Sequence, residues 1–108
     1  MAVRGRPRRV EVSGESMQPT LEPGDRLVVV PSAHLRVGQV VAVADPRGSG
    51  RLLVKRVGAV RGDQVEVQGD NPGASTDSRH FGPVERNKVV GTALYRYFPP
   101  KRAGWIGE

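Results

Sequence analysis

The sequence has no cysteine, few aromatic residues and no long apolar run. Without cysteine the chain can form neither disulfides nor thiolate metal sites. No apolar stretch comes near the roughly 18 residues that a transmembrane helix needs, and none follows the basic start of the chain, as a secretory signal requires. Aromatic residues make up 5% of the chain, too few to interleave with basic residues on a nucleic-acid-binding surface. We therefore expect a cytoplasmic protein without cofactor, metal or nucleic-acid partner.

Length and charge bound the organisation of the chain. Its 108 residues are enough for one domain with a modest core. The net charge is +6, and most of this excess lies in residues 1–9, which contain four arginines and no acidic residue. We expect residues 1–9 to be a disordered basic arm and residues 10–108 to be one folded domain. The arm offers peripheral contact with an anionic membrane through Arg4, Arg6, Arg8 and Arg9.

The 14 glycines and 9 prolines interrupt the chain too often for long helices. Between these breaks, short apolar or alternating segments predict β-strands. A hairpin turn is predicted at residues 61–64, a β-bulge at Gly91, and a short helical turn after Ser16. The fold class is therefore mostly β, with small coiled antiparallel sheets or a partly closed barrel. The predicted strands are residues 10–13, 26–30, 40–44, 52–60, 64–68 and 87–98.

One lysine lies inside an apolar strand, and one serine lies in a turn-rich segment near the start of the chain. In the strand, Lys55 shares a face with Leu53 and Val57, because side chains alternate between faces. Burial disfavours the ammonium form, so this lysine can lose its proton at a much lower pH than in water. A neutral amine can accept the proton of a serine hydroxyl. Ser-Lys pairs are a known variant of the hydroxyl-plus-base arrangement.

A third segment, residues 69–79, is dense in hydrogen-bonding groups. By itself it is typical of a structural loop held by turns and an acid–arginine pair. In order along the chain, however, four segments together resemble the conserved boxes of the type I signal peptidase family, the Ser-Lys serine proteases. The resemblance extends from Val10 almost to the C-terminus. The segments are residues 13–21 (SGESMQPTL), 23–25 (PGD), 55–57 (KRV) and 69–79 (GDN through DSR).

The resemblance implies a fold of the signal peptidase and self-cleaving repressor type, with residues 10–108 as a single protease catalytic domain. It implies that Ser16 is the nucleophile, that Lys55 is the general base, and that Ser75 orients the lysine amine. The backbone N–H of Ser16 would stabilise the oxyanion. Many members carry a hydroxyl two residues before the nucleophile, where this chain has Gly14, and Ser13 is the candidate replacement. The residues expected to be structural are Gly69, Asp70, Asn71, Asp77 and Arg79.

By the same resemblance, a precursor protein binds as an added strand between the segment before the serine and the segment before the lysine. The residues expected to form these two strands are Val10, Val12 and Gly14 on one side and Leu53 and Val54 on the other. Family members favour small residues, typically alanine, just before the cleaved bond.

No apolar segment precedes the serine box in this sequence, so we expect a soluble enzyme that resembles the maturation proteases of nickel-type superoxide dismutase. The alternative within the family is a general leader peptidase for secreted proteins. Two rivals lie outside it: a self-cleaving repressor domain, which requires an upstream DNA-binding helix-turn-helix or a cleavable linker, and a basic nucleic-acid-binding β-barrel. Any metal would belong to the substrate.

Overall fold

The protein, described by a computed structural model over residues 5–32 and 34–107, is built from one curled antiparallel sheet. The strand order is β1-β2-β7-β3-β4-β5-β6, and β8 pairs with β7 outside this path. The class predicted from the sequence, mostly β with a partly closed sheet, is confirmed. The strands are β1 (Arg8–Glu11), β2 (Arg26–Val30), β3 (Val40–Ala44), β4 (Leu52–Arg61), β5 (Gln64–Gln68), β6 (Val84–Glu85), β7 (Val89–Phe98) and β8 (Gly104–Trp105).

Two ten-residue strands, β4 and β7, give the sheet its curl. Register shifts interrupt the pairing of β7 with β2 and with β3, and also that of β4 with β5. Such irregularities bend a strand and increase its twist, which allows the sheet to fold back towards itself. One of them lies beside Gly91, where the sequence predicted a bulge. A side chain at this position would meet the Val30 carbonyl oxygen at 2.3 Å, so the two backbones approach closely only because residue 91 is glycine.

The apolar side chains form two clusters, one on each face of β4. Leu52 and Val54 belong to the cluster that contains the buried Met17 and Leu21. Leu53 and Val57 belong to the second cluster, with the valines of β5. This division confirms the predicted alternation, and it places Lys55 on the face of the second cluster.

The first strand begins at Arg8, two residues before the predicted start, and Arg9 pairs with Val28 of β2. The last two residues of the expected disordered arm are therefore strand, and they remain exposed on the sheet edge. Arg6, which lies before the strand, is also exposed. Arg4 lies outside the described residues. Among residues 5–32 and 34–107, no helix has the length and apolar character needed to cross a membrane.

The helical segments are short: one α-helical turn, α1 (Ser78–Phe81), and three 3-10 turns. Helix α1 begins because Asp77 accepts a hydrogen bond from the Arg79 N–H, while the His80 side chain accepts one from the Asp77 N–H. The sequence did not predict it. The expected helical turn after Ser16 is a turn in which the Leu21 N–H donates to the Met17 carbonyl. The 3-10 turns are Pro72–Ala74, Arg86–Lys88 and Pro100–Arg102.

Candidate active site

Ser16 lies in the turn that follows β1, half-buried, and several contacts fix the backbone around it. Met17 and Leu21, both 1% exposed, anchor the turn in the first apolar cluster. The Ser16 carbonyl accepts a hydrogen bond from the Asn71 N–H at 2.8 Å, and the Asn71 side chain donates to the Glu15 carbonyl at 3.1 Å. The serine is therefore held from both sides, by the core and by the segment that begins at Gly69.

Lys55 occupies the middle of β4 opposite Val41, and only 4% of its surface is exposed. Its Nζ donates to the Ser75 Oγ at 3.0 Å. Burial lowers the pKa of this amine; the charge of Asp77 opposes the change, and the charges of Arg47 and Arg79 support it. A lysine with a lowered pKa carries a neutral amine over a wider pH range, which a general base requires.

The hydroxyl of Ser75 connects this lysine to a buried carboxylate. Ser75 Oγ donates to Asp77 Oδ2 at 2.6 Å. Because a serine hydroxyl has a single proton, Ser75 must accept, not donate, in its hydrogen bond with Lys55. The geometry thus orients one N–H of the lysine towards Ser75.

Asp77 is fully buried and remains ionised. Burial alone would raise its pKa, but hydrogen bonds from Arg79, Ser75 and the Gly69 N–H outweigh burial and lower it. An ionised Asp77 can only accept hydrogen bonds, which fixes the direction of the Ser75 hydroxyl.

Gly69 lies between the turn that carries Ser16 and the side chain of Ser75, and it is in close contact with both. A Cβ at this position would lie 2.3 Å from Ser75 Oγ and 2.5 Å from the Ser16 carbonyl oxygen. Only glycine lets these two groups come so close.

Asp70 joins the serine turn to the lysine strand. It accepts two hydrogen bonds from the Arg56 guanidinium, both at 2.8 Å, and one from the Thr20 hydroxyl at 2.6 Å. The hydrogen bonds from Arg56 lower the pKa of Asp70 more than burial raises it. Since Arg56 is adjacent to Lys55 and Thr20 closes the serine turn, this carboxylate sets the relative position of the two elements.

Ser16 and Lys55 line one cleft of about 540 Å³. No hydrogen bond joins their side chains among the described residues, and the Lys55 amine has Ser75 as its partner. The cleft walls are residues 12–16 on one side and 52–55 on the other. The predicted substrate-binding residues Val12, Gly14, Leu53 and Val54 all line it. Val10 does not: it pairs with Leu27 of β2 and packs in the core.

The residues before the nucleophile form an open wall of the cleft. Gly14 has a φ of +77°, and a Cβ there would meet nothing within 4 Å. Ser13 Oγ accepts a hydrogen bond from Arg51 Nη2 at 3.1 Å, which links the two walls. The Ser16 N–H has no partner among residues 5–32 and 34–107, so it is available to an incoming group. A role for Ser13 at the oxyanion stays a prediction.

Sequence reasoning missed two charged cleft residues, Asp45 and Arg47, which form an ion pair at 2.9 Å. A signal was present: residues 45–47 (Asp-Pro-Arg) repeat the spacing of residues 77–79 (Asp-Ser-Arg). In the part of the chain that the structure describes, no three acidic or histidine side chains gather as a metal site would require.

The sequence matches the family model described as signal peptidase, peptidase S26, over residues 6–71 and 67–98. It is 37% identical over 120 residues to the mitochondrial ATP-independent inner membrane protease subunit 1a of Arabidopsis thaliana. This match covers 86% of this chain and 71% of that protein. It is 31% identical over 117 residues to the mitochondrial inner membrane protease subunit 2 of Danio rerio, covering 84% of this chain and 64% of that protein. The probable signal peptidase I-1 of Synechocystis sp. is 29% identical over 145 residues, with coverages of 90% and 74%.

Proposed function

Because this chain belongs to the signal peptidase family, peptidase S26, we propose that it is a serine endopeptidase that removes a leader segment from a precursor protein. The observation that carries this proposal is the environment of Lys55. Lys55 is 4% exposed, lines the same cleft as Ser16, and donates from its amine to a serine whose own hydroxyl proton is donated to an ionised aspartate.

In the proposed reaction, Ser16 Oγ attacks the carbonyl carbon of the scissile bond while Lys55 Nζ accepts the hydroxyl proton. The negative charge on the carbonyl oxygen is stabilised by the free N–H of Ser16. The tetrahedral intermediate collapses, and the lysine ammonium gives its proton to the departing amine. Water then attacks the acyl-enzyme ester with Lys55 again as base, which releases the acid product and restores Ser16.

The cleft offers two strand edges to an extended substrate. β4 pairs with β3 along residues 52–56, but its pairing with β5 starts only at Arg56, so its other edge at residues 52–55 pairs with no strand of the described chain. On the opposite wall, the Val12 N–H donates to the Asp25 carbonyl, and the Val12 carbonyl accepts from the Gly24 N–H. These two bonds hold the wall from behind. A precursor segment would therefore add as a strand between residues 12–14 and residues 52–54.

The relatives support one substrate class over the other. They are named as inner membrane protease subunits and a signal peptidase, and they favour a leader peptidase of general type. They give no support to the maturation of nickel-type superoxide dismutase, which the sequence had favoured. The expected cytoplasmic location and the contact of the N-terminal arginines with a membrane stay predictions.

The proposal is tested by incubating the purified chain with leader-bearing precursor proteins and determining the new N-termini by mass spectrometry. We expect a single cut after a small residue, and no cut with the Ser16→Ala variant, because alanine lacks the attacking oxygen. Thr76→Val is the matched control, because it removes an exposed hydroxyl from the same cleft but leaves the nucleophile, the base and the candidate oxyanion residues in place. Cleavage that persists in Ser16→Ala would contradict the assignment.

A further inference from the structure

Asp45 and Arg47 form a compact ion pair at the end of the β3–β4 hairpin. The Asp45 carboxylate is nearly buried, and it accepts hydrogen bonds from the Arg47 Nε at 2.9 Å and Nη2 at 3.0 Å. It also accepts one from the Ser49 hydroxyl at 2.8 Å. The pair repeats the arrangement of Asp77 and Arg79, in which an arginine two residues further on binds the carboxylate with two nitrogens.

The hairpin places Asp45 on the same face as Lys55. Val41 lies opposite Lys55, Val43 lies opposite Leu53, and the Asp45 N–H donates to the carbonyl of Arg51. Since alternate residues of a strand share a face, the side chains at positions 41, 43 and 45 lie on the face that carries positions 51, 53 and 55.

Helix α1 covers this face and brings the other ion pair to it. Phe81 packs against the cluster that contains Val41, Val43 and Leu53. The Arg47 guanidinium lies over the Phe81 ring, 5.8 Å from its centroid. The lysine amine is therefore flanked by two acid–arginine pairs, one from the hairpin and one from the start of α1.

We propose that Arg47 is a positioning residue for this peptidase, whose guanidinium neutralises the Asp45 carboxylate and so prevents that carboxylate from stabilising the ammonium form of Lys55. The inference rests on the proposed function, in which Lys55 acts as a neutral base. It extends that function by a residue from the hairpin, outside the segments that resemble the family's boxes.

The charges around the lysine support this role. The groups that act on Lys55 from the packed elements are Asp45 and Arg47 of the hairpin and Asp77 and Arg79 at α1. Each carboxylate is held by its own arginine, so neither is free to pair with the lysine. After burial, Arg47 is the larger of the two arginine influences that lower the pKa of Lys55. Three further charged residues line the cleft: Glu11, Glu15 and Arg51.

The test measures the protonation of Lys55 directly and needs no substrate. The chain has three lysines, and the other two, Lys88 and Lys101, are exposed. Replacing both by arginine leaves Lys55 as the one signal from lysine labelled with ¹⁵N at Nζ. Titration of that signal by NMR gives its pKa in this background and in variants at positions 45 and 47.

Two opposite shifts are expected. Arg47→Met should raise the pKa of Lys55 and Asp45→Asn should lower it, each by roughly half a unit, the size expected for one partly screened charge. The double variant should return to near the starting value. A merely structural role would shift both single variants in the same direction, towards the value of a solvated lysine.

The proposal is overturned if neither variant moves the titration, or if both raise it. Should Arg47→Met fail to fold, Arg47→Gln takes its place: a lowered pKa in Asp45→Asn together with a raised one in Arg47→Gln supports the proposal, and any other pair of results contradicts it. If the chain proved not to be a peptidase, the NMR titration would still report the electrostatic effect, so the two failures are distinguishable.

Discussion

At the scale of single residues, the site depends on groups that can play only one part in a hydrogen bond. The ionised Asp77 only accepts, so the Ser75 hydroxyl donates to it and must accept from Lys55. The donor and the acceptor in each of these hydrogen bonds follow from the chemistry of the groups alone. As a result, the amine of the buried Lys55 is oriented towards Ser75, and no acidic side chain among residues 5–32 and 34–107 forms an ion pair with it.

The contact between Gly69 and Ser75 leads to a prediction at the same scale. Gly69→Ala would place a methyl group 2.3 Å from Ser75 Oγ and 2.5 Å from the Ser16 carbonyl, so one of them must move. We expect a loss of about 1–3 kcal/mol in the free energy of unfolding, typical of overpacking, and at least a tenfold fall in kcat. Urea unfolding and cleavage assays measure the two effects.

Gly73→Ala is the matched control. It adds the same methyl group only four residues further on, where a Cβ would meet nothing within 4 Å. This variant should stay within about 0.5 kcal/mol of the parent protein, as surface substitutions usually do. Equal behaviour of the two variants would show that the close approach at position 69 has no role.

Among the elements, the serine turn is attached to the sheet at two places. Asp70 joins it to β4 through Arg56, and Asp25 joins its end to β7 and to the last 3-10 turn. Asp25 is fully buried; its carboxylate accepts from the Glu22 N–H at 2.9 Å and from Arg96 at 3.0 Å, and it also pairs with Arg102. The turn is thereby fixed by arginines of β4, of β7 and of the last 3-10 turn, all of them distant in sequence.

This buried carboxylate makes stability depend on pH. Burial would raise the pKa of Asp25, but the hydrogen bonds from Glu22, Arg102 and Arg96 outweigh it and lower the pKa. A carboxyl with a lowered pKa in the folded state stabilises the fold at pH values above its unfolded pKa. That contribution is lost as the pH falls below about 4 towards the folded pKa.

We therefore expect Asp25→Asn to cost about 3 kcal/mol of unfolding free energy at pH 7, because it leaves two arginines without a counter-charge. The cost should shrink below about pH 4, where the parent carboxylate also becomes protonated. Chemical denaturation at several pH values measures the difference. Asp63→Asn, at an exposed position, is the control and should cost less than about 0.5 kcal/mol at pH 7, as surface substitutions usually do; a pH-independent cost for Asp25→Asn would contradict this account.

For the whole molecule, the sequence predicted the features that depend on local pattern. Alternation in β4 was enough to assign Lys55 to the face of Leu53 and Val57, and the spacing of glycines and prolines was enough to predict a strand-rich fold. The first strand was predicted two residues too late, at 10–13 and not at Arg8–Glu11, because exposed arginines carry no apolar alternation while the backbone still pairs with β2.

Other features could not be predicted, because they depend on contacts between distant segments. The position of Arg47 beside the lysine requires the hairpin register and the packing of Phe81 on the second cluster. Likewise, the exclusion of Val10 from the cleft follows from its pairing with Leu27, not from its distance to the serine along the chain.

The central claim is that the buried amine of Lys55 takes the proton of Ser16, and the most direct measurement is the pH dependence of kcat/KM for precursor cleavage, with Lys55→Arg beside the parent protein. The lowered pKa of Lys55 predicts a rate that is low in acid and rises with pH to a plateau reached below the pKa of a solvated lysine. The arginine variant should be inactive throughout, because a guanidinium stays protonated. A pH-independent rate, or an arginine variant that still cleaves, would contradict the claim.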